Sequence, residues 1–405
     1  MTTTATLNGR ALTTGAPAPP YPKTPRQAEF IELADGLAEV AAVQADAHDR
    51  ANSFPHDTFA ALRESAYLAL TVPEEFGGRG ATPLELMLAQ ERLARGNGSV
   101  ALAATMHLGI VAGLGASRAW PAPLLERFFR EVVEEGALIN SAASEPELGS
   151  PSRGGMYATR AVRVPGGWRI NGRKCWTTLA PALRYTIVLL TVEEADGSTA
   201  RGNFLVPMAT PGVRIEETWD NLSMRATGSH DVVYEDVFVP DDFRLPSDQS
   251  APVSKVSQWG LLGSAVYLGI ATAARDFAVQ YARERRPSGL NGSIAELQTV
   301  QHRIAQIELL LLQARSVLYG TIETYQEHPE HREAIGWQFA AAKYTVTNNA
   351  IQITDQALRV VGSTGLARRY PLERYFRDVR AGLGNPPMDD MALTLIGKTA
   401  LGLQH

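Results

Sequence analysis

Ser141-Ala142-Ala143-Ser144-Glu145-Pro146-Glu147-Leu148-Gly149-Ser150 stands where one periodicity stops and another starts. Upstream, from Ala28 to Gly136, apolar residues recur every three or four positions, as in Ile31, Ala34, Leu37 and Ala41 or Leu124, Phe128 and Val132, which is the spacing of amphipathic helices. Downstream, from Ala158 to Pro240, short β-branched and aromatic runs are cut by Pro165-Gly166-Gly167, Asn171-Gly172 and Pro211-Gly212, which reads as β structure. Small, hydroxyl-bearing and glycine residues crowd the junction, so its backbone N–H groups and hydroxyls can approach a planar polar ring or a pyrophosphate. Read alone, the same residues also make an ordinary serine-rich loop.

Working outward, Thr82-Pro83-Leu84-Glu85 is a capping box with proline at the first helical position, so a helix is expected from there towards Arg95. Gly136 should stop the last helix of the first third. In the middle third, Tyr185 to Val192 reads as a buried strand, and Gly212 to Thr218 and Val232 to Val239 as partly exposed ones, together forming a small barrel or sandwich. Helical patterns return over Ser254 to Arg286, Ile294 to Tyr325 and Arg332 to Val361, with a shorter one after Asp390. An α, then β, then α order without alternation is α+β, mostly α, and argues against a doubly wound sheet. The expected organisation is a flexible proline-rich tail over 1–27, an N-terminal helical domain over 28–138, a middle β domain over 139–250 and a C-terminal four-helix bundle over 251–405.

A formal net charge of -5 and a pI near 6.0 give no global basic field, so neither nucleic acid nor an anionic membrane is an expected partner. The single cysteine, Cys175, makes no internal disulfide, and the default address is cytoplasmic. The uncharged stretch Val256 to Ala274 contains Ser257, Gln258, Gly260, Gly263 and Ser264, which suits a buried bundle helix better than a membrane span. No Gly-x-Gly-x-x-Gly follows a strand, and Gly397-Lys398-Thr399 lacks the first glycine of a phosphate loop, Ala392 standing there. No Glu-x-x-His pair or Gly-x-Ser-x-Gly elbow occurs, so no metal centre or serine nucleophile is expected.

Asn171-Gly172-Arg173-Lys174-Cys175-Trp176-Thr177-Thr178 follows the junction, and strand alternation puts Trp176 and Thr178 on one face. Val72-Pro73-Glu74-Glu75-Phe76-Gly77-Gly78, Met224-Arg225-Ala226-Thr227-Gly228-Ser229, Tyr234 to Pro240, Arg283-Glu284-Arg285, Gln298, Val361-Gly362-Ser363-Thr364-Gly365 and Arg377-Asp378 lie in order along the chain. From Ala28 to its end the chain thereby resembles the acyl-CoA dehydrogenase family. The resemblance implies an FAD-dependent oxidoreductase that desaturates an acyl-CoA thioester, and a homotetramer in which cofactor binding is shared between subunits. It places Ala143 and Ser144 at the flavin pyrimidine edge, Ser150 at the pyrophosphate, and Trp176 and Thr178 at the ring and its N5 side. Arg285, Gln298, Arg359, Gly362 and Ser363 would serve the adenosine end of a neighbour's FAD, although Arg359 replaces a usual glutamine and Pro151 a usual aspartate.

The usual catalytic glutamate lies eight residues after the aspartate of the Arg-Asp pair, and here that position is Pro386. Some members carry the base on an earlier helix, matched near Trp259, again without an acid. Asp389 and Asp390 are the nearest carboxylates, although an aspartate before an apolar helical run is also an N-cap. A positioned base typically supplies about 10²–10⁴ in rate. The alternative function is therefore a flavin-dependent monooxygenase using reduced flavin and O2, with His107 facing the flavin. His107 also suits a core or cleft position with a structural hydrogen bond. An electron-transfer partner or O2 would complete either cycle. The third reading is a non-catalytic flavin-binding subunit.

Overall fold

The computed structural model describes residues 5–7, 10–12, 21–147, 155–246, 261–332 and 334–403. A short hairpin, β1 (Ala5–Leu7) with β2 (Arg10–Leu12), precedes the helical region. The chain is anchored by Tyr21, which is buried and edge-on to Tyr319. The first helix starts at Pro25, ahead of the residue 28 expected, because Thr24 caps it by accepting from Gln27 N–H. The N-terminal helices are α1 (Pro25–Val43), α2 (Ala45–Ala51), α3 (His56–Glu64), α4 (Pro83–Gly96), α5 (Gly98–Ser117) and α6 (Ala122–Glu135). Thr82 and Glu85 form the expected capping box, and Gly136 ends α6 at φ +65°.

An eight-stranded sheet forms the middle third, with strand order β10-β7-β6-β4-β5-β9-β8 and β3 paired beside β6. Its strands are β3 (Leu138–Ala142), β4 (Arg160–Val164), β5 (Gly167–Thr177), β6 (Leu183–Glu193), β7 (Thr199–Pro207), β8 (Val213–Glu216), β9 (His230–Pro240) and β10 (Arg244–Leu245). β3 and β4 share one edge of β6 end to end, both parallel to it. That arrangement brings the segment after Ala142 back across β5.

The last third holds α7 (Leu262–Glu284), α8 (Gln298–Glu327), α9 (Gly336–Val361), α10 (Leu372–Asp378) and α11 (Asp389–Ala400). Helix α10 lacks a counterpart in the sequence reading, since its buried face includes Arg374 and Asp378 among Leu372 and Tyr375. The expected span from Val256 falls on α7 over its described part, a helix buried from Leu262 to Thr272 at nearly every position. A different helix, α5, has the length and composition to cross a membrane, yet most of it is buried inside the molecule. Buried residues from α1, α4 and α5 pack in one cluster with those of α7, α8 and α9. The two helical thirds thus share a core, and the sheet is held beside it.

Candidate functional site

Beyond Ala142 the chain leaves β3, and Glu145 turns inward. Its carboxylate accepts from Ala158 N–H at 2.7 Å, Thr159 N–H at 2.9 Å and Lys174 Nζ at 2.7 Å. Burial alone would raise this carboxyl, but the bonds from Lys174, Thr159 and Ala158 hold it below its ordinary range. Burial pushes Lys174 down to about 8 against the attraction of Glu145. Cys175 N–H donates to Ser144 C=O at 3.0 Å, so β5 clips the junction segment against itself. Ala143 and Ser144 are therefore held, half-buried, next to Trp176 and Thr178. Ser150 lies outside the described residues.

Trp176 and Thr178 lie where plain strand alternation breaks down. The β5–β9 register shifts between Lys174 and Thr177, and Trp176 and Leu179 have φ +60° and +71°. A bulky residue in the left-handed region costs about 1–3 kcal/mol. The conformation leaves the Trp176 indole 61% exposed and edge-on to Trp219, with ring centroids 5.2 Å apart. Trp219 is fixed in turn by its own bonds to His230 Nδ1 and the Met224 carbonyl. An exposed indole, a hydroxyl and the small residues Ala143 and Ser144 suit one face and one edge of a planar heteroaromatic ring.

Thr178 Oγ1 is 2.8 Å from Ser229 Oγ, which is 2.8 Å from Thr227 Oγ1. These two hydroxyls sit on the loop after β8, whose Met224 N–H donates to Asp378 of α10 at 2.8 Å. Burial pushes Asp378 up to about 6, with Asp49 adding to it and with Arg374, the Met224 N–H and Arg377 opposing. Thr227 and Ser229 belong to the Met224-to-Ser229 segment that carries the family resemblance. Their spacing carries no sign of the hydroxyl chain, which exists only through the strand crossing.

At the far end of the bundle, Arg359, Gly362 and Ser363 line a hollow of about 370 Å³ with Asp355, Leu358 and Leu366. Gly362 has φ +73°, a conformation that favours glycine. Arg303 Nη1 to Gln356 Oε1, 3.0 Å, joins α8 to α9 at this end, where Gln298 begins α8. Arg285 closes α7, and both Arg285 and Gln298 are exposed. Among the described residues, Trp176 does not line this hollow.

The catalytic candidates fare differently. His107 is fully buried, with Nδ1 accepting from Ile139 N–H and Nε2 donating to the Leu68 carbonyl at 3.0 Å. Burial pushes its pKa down to about 4, with the bond to Leu68 opposing. The expectation that His107 faces a flavin is corrected: it is a neutral core ring tying α5 to the sheet, with both nitrogens engaged. Asp389 accepts from Asn348 Nδ2 at 3.0 Å and faces Lys343 Nζ at 3.7 Å. Asp389 and Asp390 occupy the first turn of α11, while Met388 takes the cap position expected for an aspartate. Asn385, beside Pro386, donates to the buried Tyr267 hydroxyl at 2.6 Å. Among the described residues His328, Glu330 and His331 form a metal-sized cluster, on an exposed turn before α9.

The N-terminal, middle and C-terminal domains of acyl-CoA dehydrogenase match residues 24–117, 140–237 and 261–383. YdbM of Bacillus subtilis (strain 168), named as a candidate acyl-CoA dehydrogenase, is 41% identical over 91% of this chain and 95% of its own length. The chain belongs to the acyl-CoA dehydrogenase family. Benzylmalonyl-CoA dehydrogenase of Aromatoleum aromaticum is 32% identical over 87% of this chain and 91% of its own. Proteins with other names share the fold as well. The nitrososynthase of Micromonospora carbonacea var. africana superposes with a TM-score of 0.82 at 27% identity, covering 94% of this chain and 98% of that one. KijD3 in complex with FMN and dTDP-3-amino-2,3,6-trideoxy-4-keto-3-methyl-D-glucose superposes at 0.83 and 28% identity, covering 95% and 96%.

Proposed function

We propose that this family member is a flavin-dependent monooxygenase that takes reduced flavin and O2 to a small-molecule substrate. The observation that carries the reading is the neighbourhood of Pro386. The carboxylates that follow Pro386 in the chain are Asp389, turned to Asn348 and Lys343, and Asp390 on the exposed first turn of α11. A thioester desaturase needs a firmly held base, and neither Pro386 nor the earlier-helix position near Trp259 supplies an acid. A bound flavin would supply the redox chemistry, and Ala143, Ser144, Trp176 and Thr178 would hold its ring. Arg285, Gln298, Arg359, Gly362 and Ser363 would hold the adenosine end of FAD from a second copy, within a homotetramer.

Dehydrogenation of an acyl-CoA is the second reading, favoured by the two relatives named for it. Two experiments on the flavin-loaded protein separate them. Anaerobic mixing of the oxidised form with a panel of acyl-CoAs should leave the flavin colour unchanged, and the dithionite-reduced form should reoxidise rapidly in O2. Bleaching by any one thioester overturns the monooxygenase reading; in that case Asp390→Asn should abolish the bleaching if Asp390 is the relocated base.

A further inference from the structure

His328-Pro329-Glu330-His331 puts two imidazoles and a carboxylate into one short turn between α8 and α9. The spacing is not the Glu-x-x-His of a helical metal site, and it converges for a different reason. Pro329–His331 forms a 3-10 turn capped by His328, and in such a turn side chains three positions apart eclipse one another. His328 and His331 therefore project from the same side, with ring centroids 5.8 Å apart. Glu330 reaches both of them: its Oε1 lies 3.2 Å from His328 Nδ1 and 3.6 Å from His331 Nε2. One ligand atom from each of the three residues lies within 4.8 Å of the other two.

Ligands set about 2.0–2.2 Å from a tetrahedral zinc ion stand roughly 3.3 Å from one another. The two separations to Glu330 already match, and the rings need only close on each other. Exposed side chains can make that adjustment, while the backbone that carries them is fixed. His331 N–H donates to the His328 carbonyl at 3.0 Å, and the His331 carbonyl accepts from Ala334 N–H at 2.9 Å and Ile335 N–H at 3.2 Å. Pro329 locks its own φ within the turn. The neighbouring cation is directed elsewhere: Arg332 Nε donates to the Tyr325 carbonyl at 3.0 Å, and its guanidinium lies 4.6 Å from the centroid of the Tyr325 ring.

Donor chemistry decides the metal. Two imidazole nitrogens and one carboxylate suit Zn2+, whereas calcium and magnesium take oxygen ligands. We propose that His328, Glu330 and His331 bind one Zn2+ ion, which clips the end of α8 to the start of α9. Water completes the coordination at this exposed turn. His328 is the C-cap of α8, and the His331 carbonyl holds the residues that lead into α9. Helix α8 has 30 residues, which makes it about 45 Å long at roughly 1.5 Å per residue, and Gln298 stands at its other end. The ion thus sits far from Gln298, at the opposite end of the helix, and its role is structural.

The test uses the full chain as purified, without a histidine tag. Zinc uptake is measured by competition with a chromophoric chelator, and thermal unfolding is followed with and without the ion. A single Zn2+ per chain is expected, with a higher melting temperature when it is bound and no such rise with Mg2+ or Ca2+. Partners outside the ligand shell alone are worth about 10–100-fold in metal affinity, so His328→Ala, His331→Ala and Glu330→Gln should each weaken zinc binding by about tenfold or more and erase the thermal shift. His56→Ala, at an exposed histidine of α3, should change neither. Circular dichroism should be the same for all of these variants, because the altered side chains are exposed. Zinc taken up only at millimolar concentration, or with undiminished affinity by the double variant His328→Ala with His331→Ala, overturns the site. Zinc bound tightly with no change in melting temperature overturns the clip. Neither outcome depends on what lies beside Trp176.

Discussion

Lys174 is a cation with no exposure, on the same face of β5 as Trp168 and Ile170. It is held by Glu145 and lies 4.2 Å from the centroid of the Tyr157 ring. Removing one partner of a buried pair leaves the other uncompensated, so Lys174→Met should destabilise the fold by about 3–5 kcal/mol. Combining it with Glu145→Gln should recover part of that loss in urea melts; a double variant no more stable than Lys174→Met would argue against the coupling. Asp378 gives a pH signature of opposite origin. Its folded pKa is raised to about 6 from 3.8, so its contribution to stability is fully present below pH 3.8 and is lost as pH rises through 6. Asp378→Asn keeps an acceptor for Met224 N–H and cannot ionise. Relative to wild type it should gain roughly 2 kcal/mol between pH 4 and pH 7, and parallel stability curves for the two proteins would refute the assignment. His107, Lys174 and Asp378 share a lesson about residue type. A sequence shows a titratable side chain but not whether its polar atoms are already bonded. For Lys174 a hint was present, because an ammonium at an inward-facing strand position requires a partner.

At the level of elements, the helices that carried their own punctuation were legible: Thr82 with Glu85 opens α4, and Gly136 closes α6. The long strand β6 was legible too, since a run of Tyr185, Ile187, Val188, Leu189 and Leu190 has no solvent-facing alternative. Helix α10 was not, because its inner face is charged. Arg374 there reaches Asp46 of α2, and Arg377 reaches Asp49, so its pairing lies across more than three hundred residues of chain. The site divides in the same way. Trp176 and Thr178 were legible as a pair, but the left-handed turn that delivers them was not, because nothing in Cys175-Trp176-Thr177 demands positive φ. Close helix contacts depend on glycines that look unremarkable in sequence. A Cβ on Gly269 of α7 would meet the Glu91 carbonyl of α4 at 2.2 Å. Gly269→Ala should therefore separate these helices and cost about 1–3 kcal/mol, despite alanine's better helix propensity. An unchanged or raised melting temperature would show that α4 and α7 tolerate a wider spacing.

Over the whole molecule, polar contacts add to the shared core in joining the thirds. Glu91 of α4 pairs with Arg315 of α8 at 2.8 Å and accepts from Tyr319, and Arg95 pairs with Asp276 of α7 at 2.7 Å. The loop that carries Ser229 is tied to α10 through Asp378, so the sheet, α2 and the bundle fix the site jointly. The exposed face of α8 runs through His302, Ala305, Gln306, Leu309, Leu312, Gln313 and Ser316, with no acid, lysine or arginine among them. Leu309 and Leu312 are 59% and 62% exposed. An uncharged helix face carrying two exposed leucines suits an interface, and the proposed assembly requires one beside the end of α8 that carries Gln298. Leu309→Glu with Leu312→Glu places two carboxylates in that contact, where each would lose water without gaining a partner. The variant should sediment as a smaller species than the wild-type chain while keeping its circular dichroism. It should also bind FAD more weakly with little change for FMN, because FMN has no adenosine end to be held by a second copy. A wild-type chain that sediments as a monomer, or a variant that still assembles, would remove this face of α8 from the interface.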